Sequence, residues 1–321
     1  MSRYARQMIL PQVGAQGQDR LSRARVLVVG CGGLAAPVLP MLAGAGVGHL
    51  TLLDPDVVDL SNLHRQMLFT EADCGASKAG VAAARCQALN SDIIVEAQKQ
   101  ALTPANVADL VADFDLILDC ADSYAASYTL SDECLKQGNP LISASVLGLG
   151  GYVGGFCGGV PSLRAIFPEA PDSAASCATA GVLGPVVGMI GALQAQMALA
   201  VLMGLEPSPL GQMVQFDAQN FRSTSFRFDG APEPEAALRF AAPTELTDQD
   251  MIIELRGAEE APVPILSTAT RIAPEEVQNH LPDPDRRIAL CCATGLRAWR
   301  TAERIQQIWP GEIVLVAAST S

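Results

Sequence analysis

The sequence predicts an α/β protein: a doubly wound, mostly parallel sheet of Rossmann-like type followed by a small second α/β unit. Three observations predict it. The run "VLVV" at 26–29 ends in the glycine-rich turn "GCGGLAAP", an apolar helical stretch succeeds it from Val38 to Ala45, and a second strand-like run, "HLTLLDPD", occupies 49–56. The same alternation then continues down the chain. Finally, composition shifts at 229–248, where Pro, Ala and Glu dominate, and the alternation restarts beyond it on a smaller scale.

Each element has its own reason. Residues 78–89, "KAGVAAARCQAL", carry helix formers with no breaker in the middle, and "IIVEAQ" at 93–98 is rich in β-branched residues. "PANVADLVADF" reads as a helix, "DLILDCAD" at 115–122 as a buried strand, and "PLISASVLG" at 140–148 as a further strand. From Gly181 to Gly204 the chain is apolar enough to suggest a membrane span, but Gln194 and Gln196 interrupt it and Pro185 stands near its start. No basic cluster flanks it either, so a buried helix is the expectation and a membrane is not an expected partner. The division read from these patterns is 1–230 for the first domain, 231–246 for a linker and 247–321 for the second.

Charge and cysteine usage narrow the function classes. A net charge of −13 opposes the phosphate attraction that underlies nucleic-acid binding. Nine cysteines without framework spacing, and no apolar leader in "MSRYARQMILPQ", suggest free thiols in a reducing cytoplasm.

The glycine turn brings backbone N–H groups and a helix N-terminus to a phosphate. Its spacing, Gly30-x-Gly32-x-x-Ala35, with Asp54 ending the next strand, taken alone favours a dinucleotide enzyme, with a structural glycine turn as the alternative. The residues beyond Asp54 shift the balance toward a triphosphate. Asn62 and Arg65 come straight after the second strand and Lys78 opens the next helix; a triphosphate uses such cations to stabilise departing pyrophosphate, whereas a nicotinamide does not need them. A plain surface pair is the alternative for Arg65 and Lys78. Asp122 closes "DLILDCAD" on the edge where such sheets bind ligands, and a lone carboxylate there suits Mg²⁺ shared with phosphate oxygens, or a helix cap. Cys177, in a small-residue loop before the apolar helix, is a candidate nucleophile toward an activated carboxyl.

Taken in order, "RYARQ", "VLVVGCGGL", "GVGHLTLLDPDVVDLSNLHRQ", "GASK", "DLILDCAD" and "SCATAGVLGPVVGMIGALQA" resemble the MoeB/ThiF family of ubiquitin-activating-type enzymes, across roughly residues 3–225. The resemblance implies ATP-dependent adenylylation of the C-terminal glycine of a ubiquitin-like sulfur carrier of the ThiS or MoaD kind, for thiamine, molybdopterin or related sulfur transfer. It implies Gly32 and Gly33 at the phosphates, Asp54 at ribose, Asn62, Arg65 and Lys78 at the triphosphate and Asp122 at Mg²⁺. It further implies a homodimer in which Arg6 reaches the other subunit's site, and it matches Cys177 to the family's loop cysteine, which in some members joins the carrier covalently. A cysteine desulfurase is a compatible partner.

Two departures stand out. Many members hold zinc with two Cys-x-x-Cys pairs, but Ser162 and Ala165 stand where the first pair would fall and the chain has no Cys-x-x-Cys, so no structural zinc is expected. Ser123, Ser127 and Ser131 stand where Asn, Arg and Asn are usual. In the second unit, Cys292-x-x-Gly295-x-Arg297 between a strand and a helix would aim backbone N–H groups and an arginine at the Cys292 sulfur. With "MIIELRG" this loop resembles the rhodanese sulfurtransferase domain, here short, which some relatives carry after the adenylation domain. An NAD(P)-dependent oxidoreductase, a non-catalytic paralogue and an enzyme adenylating another carboxylate remain the alternatives.

Overall fold

A computed structural model describes residues 3–169 and 181–318. Two short helices, α1 (Ala5–Met8) and α2 (Gly14–Arg23), lead into β1 (Arg25–Val29), α3 (Ala35–Ala45), β2 (His49–Leu53), α4 (Lys78–Leu89) and β3 (Ile94–Gln98). Then come α5 (Val107–Val111), β4 (Leu116–Asp119), α6 (Tyr124–Gln137), β5 (Pro140–Leu147), β6 (Gly150–Cys157) and α7 (Leu163–Ile166). The long helix α8 (Gly184–Met203) precedes β7 (Gln212–Asp217) and β8 (Arg222–Arg227). These strands form one sheet in the order β3-β2-β1-β4-β5-β6-β7-β8, parallel from β3 to β5 and antiparallel from β5 to β8. The parallel part is the product of the βαβ alternation. The antiparallel extension was not foreseen, because β6 reads "GGYVGGFC" and β8 "RSTSFR", neither of which has a strand's apolar pattern.

Parallel strands are covered on both faces. On one face α3, α4 and α8 pack over β1, β2 and β5, with Val28, Leu39, Leu50, Ile142, Ile190 and Ala198 at the centre. Here α8 belongs to the core: Val186, Val187, Ile190, Gln194 and Ala198 are buried, and the helix leans on α3, β5 and β6. Its length and hydropathy are those of a span, but they serve a helix sandwiched between sheet and α3.

A second, all-parallel sheet has the order β11-β10-β12-β13-β9, from β9 (Arg239–Phe240), β10 (Met251–Glu254), β11 (Thr270–Arg271), β12 (Ile288–Cys292) and β13 (Ile313–Ala317), with α9 (Leu296–Gln306). Its edge strand β9 lies inside 231–246, the stretch whose composition suggests a linker; two residues between Pro- and Ala-rich neighbours leave no pattern to read. Trp299 of α9 and Phe240 of β9 share one apolar cluster with Tyr128 of α6, so the second sheet is docked on the face of the first that carries α6.

Arg164 fixes this docking. Its guanidinium forks onto Asp132 at 2.6 and 2.9 Å, donates to the Leu238 carbonyl at 2.8 Å, and lies 4.8 Å over the Tyr128 ring and 5.4 Å over the Trp299 ring. A buried guanidinium needs its donors filled, and this one draws partners from α6, the chain before β9 and α9.

Candidate functional site

The ends of β1, β2 and β4 meet at the carboxyl edge of the first sheet, where parallel α/β sheets bind ligands. Gly30 turns the chain there with φ +88°, and a Cβ on it would lie 2.7 Å from the Cys120 carbonyl oxygen. Only glycine lets β1 turn this tightly against the end of β4. The turn then runs into α3, eleven residues long, whose first N–H groups face the same edge. Ala35, at the third position of the glycine pattern, is fully buried, consistent with a packing variant.

Asp54 comes directly after β2 and holds the turn in shape. Its two carboxylate oxygens accept from the Cys31 N–H at 2.6 Å and the Asp56 N–H at 2.8 Å. Burial raises its pKa in spite of these bonds. Asp56, which no sequence motif singles out, is the more exposed of the two and receives the Lys78 ammonium at 2.8 Å. Lys78 is itself largely buried at the start of α4, its stem enclosed and its charge held by Asp56. The signal that would have found Asp56 is the spacing Asp54-x-Asp56: two carboxylates two apart just after a strand can serve one turn and one cation.

The segment after β2 folds back over the glycine turn. A Cβ on Gly33 would sit 3.6 Å from Arg65 Cγ and 2.8 Å from Val187 of α8, and one on Gly32 would sit 3.4 Å from Gln66 Nε2. The half-buried Arg65 donates to the Ser61 carbonyl at 3.3 Å and lies against His64 Nε2 at 2.8 Å. Asn62 is also half-buried, in the short 3₁₀ turn Leu60–Asn62 that Asp59 caps. Gln66 was missed from sequence. It is 4% exposed, and its Oε1, a buried acceptor beside the glycine turn, has no hydrogen-bond partner.

Asp122 lies in the turn between β4 and α6, exposed at the same edge. Three residues upstream, Asp119 is fully buried, with its pKa raised to about 6 by that burial against hydrogen bonds from Ser127, Ser143 and the Ala121 N–H. Cys31 and Cys120 are buried beside them, and burial pushes both thiols well up, so they stay protonated. Thus Gly33 lies against Arg65 and Gly32 against Gln66, while Asn62, Lys78 and Asp122 follow strands that end at the same edge. Arg6 is exposed on α1, and Cys177 lies outside the described residues.

The altered serines have separate settings. Ser131 is buried and accepts from the Leu163 N–H at 2.9 Å, Ser127 bonds Asp119, and Ser123 is the N-cap residue of α6. The place of the first zinc pair is taken by a polar lock: Glu233 accepts from the Ser162 N–H at 2.7 Å and from its hydroxyl at 2.6 Å. With Ala165 offering no ligand atom, these residues do not fit a tetrahedral thiolate site. Among the described residues no group of three or more His, Cys, Asp or Glu side chains is arranged to hold a metal ion.

At the second sheet, Cys292 ends β12 and its Sγ accepts from the N–H groups of Gly295 at 3.2 Å and Ala298 at 3.4 Å. The N–H cradle expected from sequence is therefore present. The arginine is elsewhere: Arg297 donates to the Leu255 carbonyl at 3.0 Å and to Glu260 at 2.9 Å, because a carboxylate within reach attracts a guanidinium more strongly than a buried sulfur does. Cys292 is 1% exposed, and Phe240 packs on Gly295. Nearby, an apolar cavity of about 210 Å³ opens between Leu102, Pro104 and Thr129 of the first unit and Phe240, Pro243 and Ala317 of the second.

The glycine turn, the cations folded over it and the carboxylate at the neighbouring strand end define a nucleotide-site α/β protein. The chain belongs to the ThiF family, which matches residues 4–237. It is similar to the adenylyltransferase and sulfurtransferase MOCS3 of Sus scrofa, 47% identical over 219 residues, which are 67% of this chain and 48% of that protein. MOCS3 of Drosophila ananassae is 37% identical over 287 residues, 87% of this chain and 63% of the relative, so that likeness continues into the second unit. The sulfur carrier protein adenylyltransferase of Thermus thermophilus is 41% identical over 237 residues, 71% of this chain and 88% of the relative. The chain thus spans about half of the pig relative's length and most of the Thermus one. Among solved structures, E. coli MccB with ATP shares the fold, with a TM-score of 0.63 at 22% identity over 74% of this chain and 72% of that one. PaaA does so with a TM-score of 0.60 at 24% identity over 70% and 72%.

Proposed function

We propose that the protein adenylates the C-terminal glycine of a ubiquitin-like sulfur-carrier protein, with Mg·ATP as co-substrate. The observation that carries the reading is the convergence of Arg65, Lys78 and Asp122 on the edge that holds the glycine turn. The names of the MOCS3 and Thermus relatives support it, and family membership supports the use of ATP.

In this reaction a carrier carboxylate oxygen attacks the α-phosphorus, the bond to the bridging oxygen breaks, and pyrophosphate leaves with the electron pair. No proton moves. The protein's work is therefore to align two anions and neutralise the charge between them. The glycine turn and the start of α3 take phosphate oxygens, and Arg65 supplies charge to the departing pyrophosphate. Lys78 is held ready by Asp56 and can trade that carboxylate for a phosphate. Asp122 would hold the magnesium that accompanies ATP, whose charge would offset that of the phosphate oxygens. Asp54, already committed to two N–H groups, keeps further lone pairs for a ribose hydroxyl.

The reading extends to a homodimer with Arg6 entering the other subunit's site, and to sulfur transfer through Cys292. The N–H cradle around Cys292 supports the sulfur role; its burial requires the second unit to open before a donor reaches it. Pyrophosphate–ATP exchange with small Gly-Gly-ended carriers tests the central claim. Exchange dependent on a carrier is expected, and its absence with every such carrier overturns the reading.

A further inference from the structure

Gln194 is a polar residue in the middle of an apolar helix, and the nucleotide site leaves it unexplained. It is fully buried, and its amide is used on the end of β4 and on the neighbouring strand β5. Nε2 donates to the Asp119 carbonyl at 2.7 Å and to the Ile142 carbonyl at 3.1 Å, while Oε1 accepts from the Cys120 thiol at 3.4 Å. The parallel ladder between β4 and β5 ends at the pair Asp119 and Ser143. There a second clamp closes, the Ser143 hydroxyl donating to the Asp119 carboxylate at 2.8 Å. Together the helix amide and the strand hydroxyl set where β4 stops and the Cys120–Asp122 turn departs.

The same helix touches the glycine turn: Val187 packs on Gly33, and a Cβ on Gly191 would lie 2.5 Å from the Leu34 carbonyl. One rigid element therefore bears on the phosphate turn and on the carboxylate turn at once. We propose that Gln194 is a positioning residue for the nucleotide site, holding the Asp122 turn in register with the glycine turn through its bonds to Asp119, Cys120 and Ile142. An apolar side chain would fill the space of this amide; what requires an amide is the fixed path of the backbone beyond Asp119, whose carbonyl loses a buried donor, and the Cys120 thiol a buried acceptor, without it. This inference rests on the nucleotide reading of the site.

The test is equilibrium binding of Mg·ATP to the full chain, with pyrophosphate exchange as a second readout. Gln194→Met should weaken Mg·ATP binding by about tenfold, the size expected from losing a buried amide's bonds to the turn. It should also raise the Mg²⁺ concentration needed for half-maximal binding, with the KM for the carrier unchanged. Ser143→Ala, which removes the other clamp from a different strand, should give the same split, and the double variant should lose less than the sum because both act on one turn. Gln196→Met, two residues along and exposed, should leave every constant alone. A folded Gln194→Met protein with wild-type Mg·ATP affinity overturns the proposal. So does a loss that tracks only the fraction folded and affects nucleotide and carrier equally. If the wild-type chain binds Mg·ATP but shows no exchange, the adenylation reading fails and the positioning claim is still decided by binding.

Discussion

Two loops of this chain come after parallel strands and hold candidate site residues at the carboxyl edge of a sheet: the glycine turn after β1 and the Cys292 loop after β12. Topology treats them alike, and packing does not. Around the first, Arg65 is half-buried and Asp122 exposed, so a ligand can reach both. Around the second, the sulfur has lost nearly all its surface, Arg297 is taken by Glu260 and α9 is pressed onto α6 through Trp299 and Tyr128. A strand end at a sheet's edge is a place where a site can be built. Whether it is open depends on what the neighbouring unit lays over it.

Substitutions can break that contrast at either end. The largest effect is expected at the open site, where Arg65→Ala or Asp122→Ala should lower pyrophosphate exchange on the order of a hundredfold or more while leaving the unfolding midpoint near wild type. Next comes the docking. Arg164→Ala leaves the Asp132 carboxylate without its guanidinium, and should cost about 3–5 kcal/mol in denaturant unfolding. If the docking also seals Cys292, the same variant should speed its alkylation.

A smaller effect concerns pH. Asp119, raised to about 6 by burial, holds its proton in the folded chain at pH values where the unfolded chain has lost it. Folding stability therefore falls as pH rises from about 4 to 6, by roughly 2–3 kcal/mol from this group. Asp119→Asn should flatten that part of the stability profile; an unchanged slope would show that the buried carboxylate is not its source. Smallest of all, Cys292→Ala should leave pyrophosphate exchange within about twofold of wild type while abolishing sulfur transfer, since that loop belongs to the second sheet and the glycine turn to the first. Retained thiocarboxylate formation would sink the sulfur role. Treatment with a chelator should leave the melting temperature where it was, because Ser162 and Glu233 close with a hydrogen-bonded lock the place where the family's zinc would sit.

The parallel half of the fold was legible from residues alone, since "VLVVGCGG" and the buried runs after it carry the period and punctuation of βαβ units. The β6–β8 extension was not, because an exposed antiparallel ribbon such as "RSTSFR" gains its order from pairing and not from burial. Likewise Arg65, Lys78 and Asp122 could be picked out as candidates from type and position, whereas Asp56, Gln66 and Gln194 could not. Asp56 and Gln194 act through hydrogen bonds across the chain, Lys78 to Asp56 and Gln194 to Asp119, and Gln66 is marked by burial and an unpaired Oε1.

By itself the sequence determined the α/β class, the place of the glycine turn, the residue types needed around a triphosphate and the presence of a second unit with its cysteine loop. These are local properties, set by side-chain period, turn chemistry and charge. Only the tertiary structure decided that Arg297 faces Glu260 and not the sulfur, that a Ser162–Glu233 lock stands in the zinc position, and that β9 belongs to the second sheet. Each of these turns on which of several competent partners lies within about 3 Å, a distance that the folded chain alone sets.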